Sequence, residues 1–220
     1  MLNLLFPRVC AGCSELLLQN EKVLCSDCRH KIPLASFHKT GDEQMMKMFY
    51  GRFLVVNATA LIQFQKKGIS QEILHNLKYR GQKEISNFFG KWLGSELAEI
   101  PSYKEIEMVI PVPLHKQKLK KRGYNQVEGF GVELAKSLKV PYRDDILLKV
   151  SKSGSQVFKS RILRFEVEEI FTLQHTDELN QKHILLVDDI ITTGATLEKC
   201  ALQLLKAEGV QLSIATIAIA

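Results

Sequence analysis

No apolar run in this 220-residue chain reaches the length of a membrane span, and no internal repeat or low-complexity linker interrupts it. The opening residues Met1–Pro7 are apolar but carry neither a basic flank nor a small-residue cleavage site, so a cytoplasmic location is expected. A phosphate loop of the Gly-x-x-x-x-Gly-Lys-Ser/Thr type is also missing, because Gly90-Lys91 is followed by Trp92. That sets aside a nucleoside-triphosphatase reading of the later Leu-Leu-Val-Asp-Asp run. Cysteine is scarce, with five in the chain, and four of them fall within the first 28 residues. What remains is ordinary: 45% hydrophobic and 25% charged, enough for one substantial core.

Cys10-Ala-Gly-Cys13 and Cys25-Ser-Asp-Cys28 are two C-x-x-C pairs. Each pair can turn tightly enough to set both sulfurs on one ion, and two such knuckles complete a tetrahedral zinc shell. Four thiolates leave no open position, which makes the site structural. Two disulfides and a redox pair are the competing readings. The first sits badly with the missing secretion signal, and the second needs only one such pair. His30 could compete as a ligand, although four cysteines already fill the shell. A segment of about forty residues builds little core of its own, so metal would supply much of its folding energy. The expected division is residues 1–40 as a zinc-binding module and 41–220 as the main domain. Cys200 lies on the apolar face of a helix and reads as a buried structural thiol.

The net charge of +6 is unevenly spread. Ile110–Asn125 holds Lys116, Lys118, Lys120, Lys121 and Arg122 without an acid. Ile146–Phe165 holds Lys149, Lys152, Lys159, Arg161 and Arg164, again without one. Gln65–Lys83 adds Lys66, Lys67, Lys78, Arg80 and Lys83 against Glu72 alone. Half of the thirty basic residues lie in these stretches, which suggests polyanion binding; three solvated surfaces facing different ways is the alternative.

Hydrophobic periodicity predicts helices over Ile69–Tyr79 and Glu84–Leu97, and another from about Gln126 carrying Val127, Phe130, Leu134 and Leu138. A short helix is expected over Ser155–Phe165. Strands are expected within Phe53–Phe64, at Met108–Pro113, Ile146–Val150, Phe171–Leu173 and Val210–Ile219. Leu114–Gly123 reads as a basic loop. Strands alternating with helices predict an α/β fold, a doubly wound and mainly parallel sheet.

The richest segment is His183-Ile-Leu-Leu-Val-Asp-Asp-Ile-Ile-Thr-Thr-Gly-Ala-Thr-Leu197. Ile184–Val187 reads as a buried parallel strand. Leu197, Ala201, Leu204 and Leu205 then recur at helical spacing, with Gly209 as the stop. The small-residue loop between them is a natural anion site, because backbone N–H groups are free there and Gly194 admits close approach. Asp188 and Asp189, expected at the strand's carboxyl edge, can accept hydrogen bonds from sugar hydroxyls or help hold hydrated Mg2+.

This segment resembles the phosphoribosyl-pyrophosphate (PRPP) signature of type I phosphoribosyltransferases. The chain as a whole resembles the ComF family of ComFC-like competence proteins. The matching stretches are Leu5-Phe-Pro7, Leu77-Lys-Tyr-Arg-Gly81, Pro111-Val-Pro-Leu-His115, Arg122-Gly-Tyr-Asn-Gln126 and Val187–Thr196, together with the zinc module. One segment departs from the pattern: Gln156, Arg161, Arg164 and Phe171 fit, but an Asn expected between Glu166 and Val167 is absent.

The resemblance implies a type I phosphoribosyltransferase-like sheet with a small N-terminal zinc-binding module. It implies that Thr192, Thr193, Gly194, Ala195 and Thr196 hold the 5-phosphate of PRPP and that Asp188 and Asp189 hold the ribose hydroxyls. Pro113, Leu114 and His115 would form the pyrophosphate loop. Expelling pyrophosphate develops an oxocarbenium-like ribose. Mg2+ and cations such as Lys116, Lys118 or Arg122 would stabilise the departing charge. No general base for an acceptor stands out. The function implied is Mg2+-dependent pyrophosphate release to an unidentified acceptor, serving DNA uptake. The alternative is a non-catalytic factor that senses nucleotides or binds single-stranded DNA beside a competence helicase, with only Tyr124 placed to stack on a base.

Overall fold

The computed structural model describes residues 7–151 and 169–220. The helix expected over 155–165, the Glu166–Val167 junction, Lys152, Lys159, Arg161 and Arg164 lie outside the described residues, as do Leu5 and Phe6. Along the chain come α1 (Ser26–Lys31), α2 (Phe37–Thr40), α3 (Gln44–Lys47), β1 (Asn57–Gln63), α4 (Ile69–Tyr79) and α5 (Glu84–Leu97). Next are α6 (Pro101–Lys104), β2 (Met108–Pro111), α7 (Lys116–Arg122) and α8 (Glu128–Leu138). The last elements are β3 (Leu147–Ser151), β4 (Glu169–Leu173), β5 (His183–Ile191), α9 (Ala195–Leu204) and β6 (Gln211–Ile219).

Four strands form a parallel sheet in the order β1-β6-β5-β2, while β3 and β4 pair antiparallel as a separate ribbon. Both faces of the sheet are covered. Leu185, Val187, Ala215 and Ile217 pack with α4, α5 and α8 through Ile73, Phe89, Phe130 and Leu134. Ile184, Leu186, Leu212 and Ile214 pack on the other face with α9 and the ribbon, through Leu197, Cys200, Leu204 and Phe171. Alternation of side chains along each strand produces the two cores, and burial on both faces explains the unbroken apolar runs. The fold is therefore α/β and doubly wound, as the alternating pattern predicts. Cys200 is fully buried among the apolar groups beneath α9.

The helices that follow β1 and β2 lie on one face and the helix that follows β5 lies on the other. Open parallel sheets bind ligands in the crevice at such a reversal, outside the carboxyl ends of the strands. The loop residues Lys66 and Lys67 after β1, Pro113 to His115 after β2 and Thr192 to Gly194 after β5 all leave the sheet at this edge.

Two expectations need correction. The strand expected to end at Val187 continues to Ile191, so Asp188 and Asp189 lie inside β5, with Asp188 in register with Thr216 of β6. The basic stretch expected as a loop is helical over Lys116–Arg122, capped by His115, whose Nδ1 accepts from the Gln117 N–H at 3.2 Å. Of the one or two strands expected within 53–64, one forms, Asn57–Gln63.

The N-terminal segment joins the first of the two cores. Cys10, Ala11, Leu24 and Cys28 pack with Leu61, Ile73 and Leu77. The buried Asn76 side chain of α4 donates to the Ala11 carbonyl at 2.8 Å. Residues 33–35 run beside β1, with Ala35 N–H donating to Leu61 and Gln63 N–H to Pro33.

Candidate functional site

The four sulfurs of Cys10, Cys13, Cys25 and Cys28 lie within 4.8 Å of one another, close enough to hold one metal ion. None of the five cysteines forms a disulfide, and Cys13 and Cys25 stand 3.7 Å apart, far beyond an S–S bond. Tetrahedral zinc with Zn–S near 2.3 Å holds its sulfurs about 3.8 Å apart, so the spacing fits that ion. Backbone donors point at the sulfurs as they do at thiolates. The Gly12 and Cys25 N–H groups reach Cys10 Sγ at 3.4 and 3.3 Å, and the Cys28 N–H reaches Cys25 Sγ at 3.4 Å. Burial acts to raise the Cys10 thiol, but the backbone donors of Cys25, Cys13 and Gly12, with the Cys25 side chain, outweigh it and bring it down to about 7. A Cβ on Gly12 would stand 3.0 Å from Cys28 Sγ and 2.9 Å from Ile69, so the knuckle tolerates little bulk there.

At the carboxyl edge, the chain leaves β5 through exposed Thr192 and Thr193 and turns at Gly194, whose φ of +76° suits glycine. A Cβ at Gly194 would also stand 3.0 Å from the Phe49 ring. Gly194 is the N-cap of the ten-residue α9 and supplies no side-chain cap. The first-turn N–H groups are thus left to a ligand, apart from Ala195 N–H, which reaches Thr193 Oγ1 at 3.4 Å. Arg52 braces the turn from outside, donating to the Thr193 carbonyl at 3.0 Å and pairing with Glu198 at 3.3 Å. Asp188 and the run Thr192–Thr196 line one small pocket of about 40 Å³.

Asp188 and Asp189 point to opposite faces, as neighbours in a strand must. Asp188 lies on the α9 side and keeps partial exposure, and its Oδ1 accepts from the Asp189 N–H at 2.8 Å. Burial and the neighbouring Asp189 charge push its carboxyl up to about 8, against the smaller opposing pull of Lys78 and Lys149. Asp189 is buried on the α4 side, with Oδ1 3.1 Å from Lys78 Nζ and with Oδ2 meeting no donor among the described residues.

The expected pyrophosphate and polyanion residues divide between two further cavities. Leu114 and Lys116 line one of about 270 Å³, which also holds Lys149 of β3. Lys118 and Arg122 line another of about 450 Å³, together with Lys78, Tyr79 and Lys121. His115 is spent on capping α7. Parts of two basic stretches therefore converge on one cleft.

Tyr124 does not take the stacking place expected of it. It is buried at 6% exposure, its hydroxyl donates to the Leu77 carbonyl, and Lys83 Nζ stands 4.8 Å from its ring centroid. The exposed ring is Tyr79, with the Arg122 guanidinium 5.8 Å from its centroid. Sequence reasoning also passed over Lys78 as the partner of Asp189 and Arg52 as the brace of the turn. The Leu77-Lys-Tyr-Arg-Gly81 stretch held a signal for the first, but Arg52 precedes β1 in an unpatterned segment and offered none.

A phosphoribosyl transferase domain model matches residues 128–220, which include β5, the Thr/Gly turn and α9. Competence protein ComFC of Streptococcus pneumoniae is 28% identical over 201 residues, covering 84% of this chain and 83% of that protein. Competence protein ComFC of Bacillus subtilis is 31% identical over 143 residues, covering 64% of this chain and 56% of the other. DNA utilization protein YhgH of Escherichia coli O157:H7 is 24% identical over 202 residues, covering 90% and 84%. The four clustered cysteines stand in front of the matched domain. Over most of its length the chain is thus similar to the ComFC competence proteins. Its fold is a phosphoribosyltransferase-type sheet, and among the described residues no helix is long and apolar enough to cross a membrane.

Proposed function

We propose that this ComF-like chain binds PRPP, or a closely related ribose phosphate, at the carboxyl edge of its sheet and releases pyrophosphate from it, serving DNA uptake in the cytoplasm. The observation that carries the reading is the single pocket that joins Asp188 to the uncapped start of α9. A phosphate on the Thr192–Thr196 turn would receive free N–H groups and the helix dipole, as anions do at helix N-termini. Asp188 would accept from a ribose hydroxyl beside it, and Asp189 would offer its unused Oδ2 from the other face. Lys116, Lys118 and Arg122 supply positive charge for the departing pyrophosphate. Carboxylate oxygens are the donors that Mg2+ prefers, and these two acids fit it; when bound, the ion would neutralise phosphate charge. The acceptor is left open, because none of the residues assigned to the site is a histidine or carboxylate placed beyond the ribose to take a proton.

Zinc on the four cysteines would be structural, with residues 1–40 as its module and 41–220 as the ligand-binding part. Titration calorimetry with PRPP and Mg2+, followed by a pyrophosphate-release screen over bases and amines, tests the reading. Absent binding in the native chain would sink it.

A second reading rests on the cleft of about 450 Å³ with its cations and exposed Tyr79. It makes the chain a non-catalytic single-stranded-DNA-binding partner of a competence helicase. Steeply salt-dependent oligonucleotide binding without any PRPP binding would favour it.

A further inference from the structure

Two lysines act on the acid pair, and they are not equivalent. Lys78 and, to a smaller extent, Lys149 act on Asp188 through their charge. Lys78 touches Asp189 directly, at 3.1 Å. Asp189 is 4% exposed, and its second oxygen meets no donor among the described residues, so this buried carboxylate rests on Lys78. Taking that lysine away would leave a buried charge unpaired, which is among the costlier local changes a fold can suffer.

Lys78 has a second outlook. It also lines the cleft of about 450 Å³, beside Lys118, Lys121 and Arg122. Tyr79, which follows it in the chain, is 71% exposed on the same wall. Four cations around an exposed ring suit a phosphodiester that carries planar bases, because phosphate takes the charges and a base lies on the ring.

We propose that Lys78 is a positioning residue shared by the two sites, so that a single-stranded phosphodiester in the cleft and a ribose phosphate at Asp189 each favour the other. The inference rests on the ribose-phosphate reading above. A phosphate in the cleft draws Lys78 away and leaves Asp189 without a partner. A ribose hydroxyl at Asp189 removes that cost by donating to the carboxylate. In the opposite order, the ribose releases Lys78 to the cleft. Each ligand thus lowers the cost of binding the other, and linkage makes the two effects equal. Lys78 need not touch either reacting atom; it acts through Asp189.

The test uses the full chain, PRPP with Mg2+, and a thymidine tetranucleotide, too large for the pocket at the Thr/Gly turn. Calorimetry should show the tetranucleotide binding roughly tenfold tighter when PRPP is saturating, and PRPP tighter by the same factor when the cleft is filled. Lys78→Met should abolish the mutual effect. If that variant fails to fold, Asp189→Asn decides, because an amide needs no counter-charge and frees Lys78. It should bind the tetranucleotide, without PRPP, as tightly as the native chain does with it. PRPP that binds the native chain but leaves tetranucleotide affinity unchanged would overturn the coupling while sparing the ribose-phosphate reading. Should PRPP not bind at all, that reading falls, and an unchanged tetranucleotide affinity in Asp189→Asn then overturns the role of Lys78 as well.

Discussion

The four-cysteine cluster and the carboxyl edge of the sheet are both places where polar groups gather, and they are built on opposite plans. At the cluster, like groups from two short turns converge within 4.8 Å and fill one another's surroundings, with Cys10 and Cys28 buried against α4. At the edge, unlike groups from β5, α4, α7 and the turn before α9 line neighbouring cavities and leave part of their capacity unused. The start of α9 has no side-chain cap, and Asp189 Oδ2 has no partner among the described residues. A closed set of four donors serves stability, whereas open donors and acceptors held by a rigid sheet serve a visitor. The contrast teaches that unused polar capacity, more than charge, separates a binding edge from a structural knot.

Removing a ligand from the closed set should have the largest effect. Cys13→Ser, or a strong chelator on the native chain, should release one zinc per chain and lower stability by about 3 kcal/mol or more. The loss should not stop at the module, because Cys10, Ala11 and Cys28 share the core of α4, and Asn76 holds the Ala11 carbonyl. Hydrogen exchange should therefore show α4 loosening along with residues 8–32 while β5 and β6 stay protected. Metal analysis that finds no zinc in protein purified without chelator would remove the premise.

Next in size is the turn at the open edge. Gly194→Ala places a side chain at φ +76° and 3.0 Å from the Phe49 ring. About 1–2 kcal/mol of stability should be lost, together with most PRPP affinity, because the turn can no longer present its N–H groups. Arg52→Ala is the milder probe, since it frees the Thr193 carbonyl without crowding the turn. Native PRPP affinity in both variants would show that the phosphate binds elsewhere.

The two acids should then part company. Asp189→Asn breaks the pair with Lys78, whose side chain is 24% exposed and can turn to solvent, so the cost should be about 1 kcal/mol. Asp188→Asn removes a carboxyl that burial and Asp189 already hold toward its protonated form, and stability should stay equal or rise slightly. Urea melts of the two variants separate these outcomes. Equal losses would mean that the two side chains share one environment.

Much of this comparison was legible in the residues. The C-x-x-C pairs announce convergence on their own, since local spacing brings each pair together. The apolar periodicity of 69–79 and 84–97 predicts α4 and α5 to the residue. The two acids are where legibility stopped. Treating Val187 as the strand's end placed both carboxylates at its carboxyl edge, but β5 continues to Ile191 because it stays paired with β6 as far as Ile219. Pairing is a property of two segments, and no local signal carries it. The role of Lys78 was hidden for the same reason: it lies on α4, 111 positions before its carboxylate partner. Tyr124 misled because a ring among cations reads as exposed, while the hydroxyl's bond to the Leu77 carbonyl draws it inside.

The finest probe of the open edge is pH, and its sign follows from Asp188. Its carboxyl sits at about 8 in the folded chain, against an ordinary value of 3.8. Between those limits the folded state holds a proton that the unfolded state has released. Stability from this group is therefore present at low pH and declines as pH rises toward 8, by less than about 1.4 kcal/mol per pH unit. His38 is lowered by burial and contributes the opposite slope, but only below its ordinary value of 6.5. The Cys10 thiol, brought down to about 7, adds an opposite slope between pH 7 and 8.5, so Asp188 is read as the difference between melts of the native chain and of Asp188→Asn across that window, the native chain declining more steeply. Ligand binding should run the other way. A ribose hydroxyl or Mg2+ needs the carboxylate, so the proton must leave, and PRPP affinity should climb across the same window. The phosphates' own second ionisation, near 6, is nearly complete there. Stability falling while affinity rises is the signature of a carboxyl reserved for a ligand. An affinity that falls in step with stability would assign Asp188 to the fold alone.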